Sequence, residues 1–247
     1  MKNIILLIIL IASTFSIYGQ EDEIKKFNFQ FDLGTTISIP YKQKCYYEVI
    51  PATFSSEDCY TEHSSDFGYY IDLVSFYNFN NKISIGLGVN YVFSSYKIND
   101  KYGYNYSEGK LINSYLNIPI SIKYKISEKI PISISLGTYF GLLINANENG
   151  TIYFDTTKLS MVNPNDPLFK PMDYNNDLKE LYTTNLGLSL QLDYEFKFND
   201  KIQGFFITKF NYGIKNIISD DYQEVDRNNA CKEWKNYNLL IGIGLKI

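Results

Sequence analysis

The chain of 247 residues contains one histidine, one tryptophan and three cysteines. Zinc sites are built from Cys and His at short spacings, and this chain has neither a Cys-x-x-Cys pair nor a second His to join His63. No metal and no cofactor is therefore expected. A basic excess is lacking too, with 23 Lys and Arg against 27 Asp and Glu and a net charge of −4. Phosphate contacts need a basic patch, so no nucleic-acid partner is expected. Long apolar runs are missing from everything after the first twenty residues. A helical membrane span needs about 20 of them. If the mature chain is embedded in a membrane it must be a barrel, because only helices and closed barrels satisfy their backbone in lipid.

The one apolar run lies at the start. Lys2 precedes an uncharged, Ile- and Leu-rich stretch from Asn3 to Tyr18, followed by Gly19 and the polar Gln20-Glu21-Asp22-Glu23. This reads as a secretory signal peptide over residues 1–19, leaving 20–247 as a single domain. No Cys lies near the cleavage region to carry a lipid anchor.

What the sequence has in quantity is Tyr (23) and Phe (17), and their placement is regular. From Tyr182 to Phe198 the even positions carry Leu186, Leu188, Leu190, Leu192, Tyr194 and Phe196, and the odd ones Asn185, Gly187, Ser189, Gln191, Asp193 and Glu195. Strand side chains point alternately to two faces, so one face is apolar and the other polar. Aromatics at both ends of the Leu run match a strand crossing a bilayer between aromatic girdles. The same period recurs near 27–41, 67–79, 82–98, 113–126, 130–144, less cleanly at 201–217, and again at 237–247. That makes eight strands.

Connections alternate in kind. Asn80-Asn81, Ser127-Glu128 and Asn199-Asp200, each followed by Lys-Ile, read as tight hairpins. The connections near 42–66, 99–112, 146–181 and 218–236 read as long and polar, and all but the second carry an acidic excess. Short turns at one end and long loops at the other are the outer-membrane pattern. The phase follows from volume: eight strands enclose room only for side chains to fill. Gly, Ser and Asn fit there; Ile, Leu, Phe and Tyr from every strand would overfill it. The apolar face is therefore expected outward, toward lipid, with Asp32, Asp72, Lys123, Lys125, Asp193, Glu195, Lys197, Lys209 and Lys246 inward. The expected fold is an all-β, eight-stranded antiparallel transmembrane up-and-down β-barrel with short periplasmic turns and long extracellular loops, located in the outer membrane.

Exported chains meet an oxidising compartment, and Cys45 and Cys59 share one expected loop. They form the candidate disulfide, leaving Cys231 over; three unpaired thiols are the alternative. His63 beside Ser64 and Ser65, with Glu62 and Asp66 near, supplies the residue types of a hydrolase. A triad is assembled in space, however, not in sequence, and a solvated loop histidine is the expectation.

The segment Tyr115-Leu116-Asn117-Ile118-Pro119-Ile120 resembles the Tyr-Leu-x-Ile-Pro-Leu pattern of the PorT-like outer-membrane β-barrel family of Bacteroidota. Tyr212-Gly213-Ile214-Lys215-Asn216-Ile217 is similar to that family's Tyr-Gly-Leu-x-Asn-Ile segment. The resemblance implies an eight-stranded barrel with no catalytic residue to carry over, in a family with one member tied to secretion across the outer membrane. The expected function is non-catalytic: contact with a surface, an envelope or secretion protein, or outer-membrane lipid and lipopolysaccharide through acidic loops. The alternatives are a small channel and a lipid-acting enzyme using His63.

Overall fold

The computed structural model describes residues 26–47, 59–127, 130–155, 170–198, 203–218 and 233–246; the expected signal peptide, Glu128, the Asn199-Asp200 turn and Cys231 lie outside them. Among the described residues ten strands form: β1 (Phe27–Ile39), β2 (Lys44–Tyr46), β3 (Cys59–Asn78), β4 (Ile83–Tyr102), β5 (Asn105–Lys125), β6 (Ile132–Phe154), β7 (Met172–Asp177), β8 (Asn185–Lys197), β9 (Gln203–Gly213) and β10 (Tyr237–Lys246). Eight close into an antiparallel ring, β1-β3-β4-β5-β6-β8-β9-β10, because β1 pairs with β3 on one side and β10 on the other. Closure leaves the ring no open edge to satisfy. The two extra strands, β2 on β3 and β7 on β6, lie outside it.

The period-two pattern produces the two faces as expected. Leu136 (63%), Ile122 (57%) and Leu190 (51%) stand exposed on the wall, whereas Asn117, Lys123 and Asp193 are buried inside. The interior is nonetheless less uniformly small and polar than its sequence pattern implies. Tyr70, Val92, Phe205, Ile207 and Leu240 form a buried apolar cluster. Phe205 and Ile207 explain the untidy pattern of β9, since they point inward on either side of the outward Phe206. Around the cluster sit two buried ion pairs, Lys209 with Asp72 and Lys123 with Asp193 at 2.7 Å, and a half-buried one, Lys246 with Glu195 at 3.2 Å. Lys197, expected inward, is exposed at the end of β8.

At one end β3 and β4 join through a tight turn. Asn80 accepts hydrogen bonds at Oδ1 from the backbone N–H groups of Lys82 and Ile83, both at 2.8 Å, which is why Asn suits this turn. At the other end three of the four expected loops contain strand. The connection expected over 99–112 is a two-residue turn, Gly103-Tyr104, with Gly103 at φ 63°, a backbone conformation that Gly adopts freely. β3 begins at Cys59, within the loop expected over 42–66, and β6 runs to Phe154, within that expected over 146–181. The result is a six-stranded sheet, β2-β3-β4-β5-β6-β7, standing beyond the ring. Two register shifts, between Ser65 and Tyr69 on β3 and between Ser114 and Tyr115 in the β5–β6 pairing, mark its base. Each inserts an extra residue into one strand, which swaps its inward and outward positions.

Candidate functional site

The loop end of the ring is closed by a buried apolar cluster of Tyr96, Ile98, Leu111, Tyr115, Ile217, Ile218 and Trp234. Backbone from two connections, β7–β8 and β9–β10, meets there. Asn216 Oδ1 accepts from the N–H of Trp234 at 2.8 Å and of Ile218 at 3.3 Å, and the N–H of Ile217 donates to the Trp234 carbonyl at 2.9 Å. The Tyr115 hydroxyl donates to the Thr183 carbonyl at 3.2 Å, and the Thr183 N–H to the Ile217 carbonyl at 2.7 Å. The two segments that carry the family resemblance thus meet in one place: Tyr115 from the first, Asn216 and Ile217 from the second. Trp234 and Tyr96, which sequence reasoning passed over, complete this plug. The only signal for it was the odd Asn-Ile after β9.

His63 belongs to the plug. Its ring lies 4.5 Å from Trp234, centroid to centroid, and Trp234 in turn meets Tyr96 edge-on at 5.2 Å. This corrects the expectation of a solvated loop histidine, because the side chain is 5% exposed. Alternation sends Glu62 and Ser64 to the other face, where both are exposed; Ser65 is exposed beside the register shift, and Asp66 pairs with Lys110 at 2.9 Å while accepting from Ser95. Among the described residues neither a Ser nor a carboxylate bonds to the imidazole. Burial lowers its pKa to about 4.

That shift has a consequence for acid stability. Unfolded, His63 takes up its proton near pH 6.5; folded, only near 4. Between those values the unfolded state binds more protons, so the stabilisation by the plug is complete above about pH 6.5 and declines as pH falls toward 4. Trp234 is the only tryptophan. Its fluorescence in the folded protein is expected to change with a midpoint near pH 4, and His63→Phe to abolish the step. A midpoint near 6.5 would mean the imidazole is wet.

The expected Cys45–Cys59 staple does not form. Cys45 is disulfide-bonded, whereas Cys59 is a free, fully buried thiol. The register gives the reason: Cys45 faces Thr61, and Cys59 sits two residues farther along β3, on the diagonal. Diagonal neighbours are roughly 7–8 Å apart, beyond the usual reach of a disulfide. Peptide mapping without reduction is expected to find Cys45 in a crosslinked peptide that excludes Cys59, and Cys59 alkylated only after denaturation. A Cys45–Cys59 pair would contradict this.

The inward side of the projecting sheet also carries carboxylates. Asp100 Oδ1 accepts from the Tyr47 hydroxyl at 2.8 Å and from Thr61 Oγ1 at 2.7 Å; Glu148 accepts from the Tyr174 hydroxyl at 2.9 Å. Burial, and then Asp100, raise the Tyr47 pKa; burial raises that of Glu148 against the lowering effect of the Tyr174 bond. The Tyr174 hydroxyl lies over Gly109 and Gly150, where an added Cβ would come within 2.6 and 2.9 Å of it. Among the described residues no group of three or more His, Cys, Asp or Glu is placed to hold a metal.

A closed antiparallel ring with an apolar outer wall and a filled interior is what a small membrane barrel requires. The sequence model of the outer membrane protein beta-barrel domain matches residues 18–219. The chain belongs to that family. Its fold is the all-β antiparallel barrel of the outer membrane, and the outer membrane is where it resides. Among solved structures it is similar to Neisserial surface protein A (12% identity, TM-score 0.43, covering 92% of this chain and 99% of that one). It is also similar to the attachment invasion locus protein of Yersinia pestis (9%, 0.35, 90% and 99%), and to OprG from Pseudomonas aeruginosa (10%, 0.38, 89% and 95%). No curated protein matches the chain.

Proposed function

We propose that this barrel is a non-catalytic contact protein of the PorT-like kind, oriented with its tight turns in the periplasm and its projecting sheet outside the cell. On this reading it engages a surface, an envelope or secretion protein, or lipopolysaccharide. The observation that carries the proposal is the six-stranded extension itself. Ordering that many residues beyond the membrane costs conformational entropy, and a barrel needs none of it for closure.

The buried pairs and apolar cluster argue against a channel, since an eight-stranded barrel filled by side chains leaves no continuous water path. The setting of His63 argues against catalysis: the geometry of a triad needs a nucleophile within hydrogen-bond reach of the base, and Trp234 occupies that side.

The test is in intact cells. Replacing residues 99–108 at the tip of the β4–β5 hairpin by an Asn-Gly turn should leave the heat-modifiable gel shift of a folded barrel unchanged and remove the crosslinks made by the full-length chain. Steady large conductance in planar bilayers, or crosslinks that survive the shortening, would refute it.

A further inference from the structure

On the outward side of the projecting sheet, continuous with the apolar wall, the side chains fall into three parallel rungs. Each rung is a line of direct cross-strand partners. Nearest the ring, Lys97 faces Lys110. Two residues farther out, Glu62, Asn99, Glu108 and Thr151 stand in line. Two residues beyond that come Tyr46, Tyr60, Lys101, Tyr106 and Tyr153, on five successive strands. Rungs two residues apart lie about 7 Å apart, and five strands at about 4.8 Å make the outermost rung roughly 19 Å long.

The innermost rung is unusual. Like charges directly opposite each other destabilise a sheet, and both lysines are exposed. Asp66 pairs with Lys110 at 2.9 Å, but among the described residues no carboxylate reaches Lys97. An anion lying between the two ammonium groups would turn repulsion into attraction. Just below, where the wall ends, Tyr69 and Phe93 stack at 4.9 Å, the position of an interfacial aromatic belt. Cations immediately past such a belt lie at the depth of lipid phosphates.

The outer rungs suit a different part of the same molecule. Tyr106 and Tyr153 stack at 4.9 Å, and Tyr46 and Tyr106 are both exposed. Aromatic rings accept the apolar C–H faces of sugars, while their hydroxyls and the neighbouring carboxylates and amides accept and donate hydrogen bonds to the sugar edges. Outward from the membrane the order is cation, carboxylate and amide, aromatic. Because this face continues the lipid-facing wall, its neighbour is whatever continues outward from the surrounding lipid.

We propose that this face docks the phosphorylated saccharide headgroup of a glycolipid in the same leaflet, with a phosphate held between Lys97 and Lys110 and sugar rings along Tyr46 to Tyr153. This rests on the outward orientation of the sheet proposed above and names the ligand of that surface.

The test uses the full-length chain refolded in detergent, with binding to purified lipopolysaccharide measured as Kd. Lys97→Gln/Lys110→Gln should weaken binding about thirtyfold, as expected for two cations at a lipid surface. Enzymatically dephosphorylated lipopolysaccharide should lose a similar factor on the wild type and little further on the double variant. Tyr46→Ala/Tyr106→Ala should weaken binding of the deacylated saccharide. A Kd within twofold of wild type for the folded Lys double variant would overturn the proposal. So would equal affinity for phosphatidylglycerol vesicles, which carry no saccharide. Orientation is read separately: Glu108→Cys should react with a membrane-impermeant maleimide on intact cells. Absence of labelling with binding intact would sink the outward orientation and with it this occupant in cells, whereas labelling without binding would sink the headgroup site alone.

Discussion

Replacing Lys209 by Met is expected to lower the unfolding free energy of the barrel by about 3–5 kcal/mol, measured by urea titration in lipid vesicles with the heat-modifiable gel shift as readout. Lys209 is 5% exposed and Asp72, its partner, 1%. Asp72 also faces Asp32 directly across the β1–β3 pairing. Two carboxylates opposite each other inside a low-dielectric ring repel, and Lys209 is the cation bonded to one of them. Removing it strands a buried charge, and stranding a charge costs far more than the pair itself contributes. The control is Lys209→Met/Asp72→Leu, which removes both charges and should recover most of the loss. If the single and double variants were equally destabilised, the effect would be packing and not charge.

Leu190→Arg is expected to cost about 2–4 kcal/mol in the same assay, the penalty for a cation on the lipid face near the midplane of an outer-membrane barrel. Leu190 lies midway along the exposed row of β8, between Leu136 of β6 and Phe210 of β9 in register. The comparison is Phe198→Arg at the turn end, 64% exposed, where the interface lets a long side chain reach water and the cost should fall to about 0–1 kcal/mol. A penalty that did not depend on depth would mean that this wall does not face lipid.

How much of this could be read in advance differs from one part of the chain to another. The outward Leu row of β8 and the inward Asn117, Asp72 and Lys209 follow from alternation and from the volume inside eight strands. The projecting sheet does not. Beyond the membrane alternation no longer separates an apolar from a polar face, so Asn99-Asp100-Lys101 reads as loop although it is strand. The register shift after Ser65 adds to the difficulty, because it puts Tyr60 and Glu62 outward at even positions where Tyr69 and Ile71 are outward at odd ones. The site was legible only as fragments. His63 was conspicuous as the one histidine, but its partner Trp234 is 171 residues away, and nothing local to either announces the contact. The Cys45 and Cys59 spacing suggested a staple that a two-residue register offset prevents.

By itself, then, the sequence determined the eight-stranded wall and its phase, because lipid on one side and a narrow interior on the other impose a binary choice at every position. Tertiary structure alone decided the plug, the free Cys59 and the rungs of Lys and Tyr. Those depend on which distant strands pair and in what register, and register is set by turn geometry, bulges and the pattern of whole faces, not by anything local to these residues.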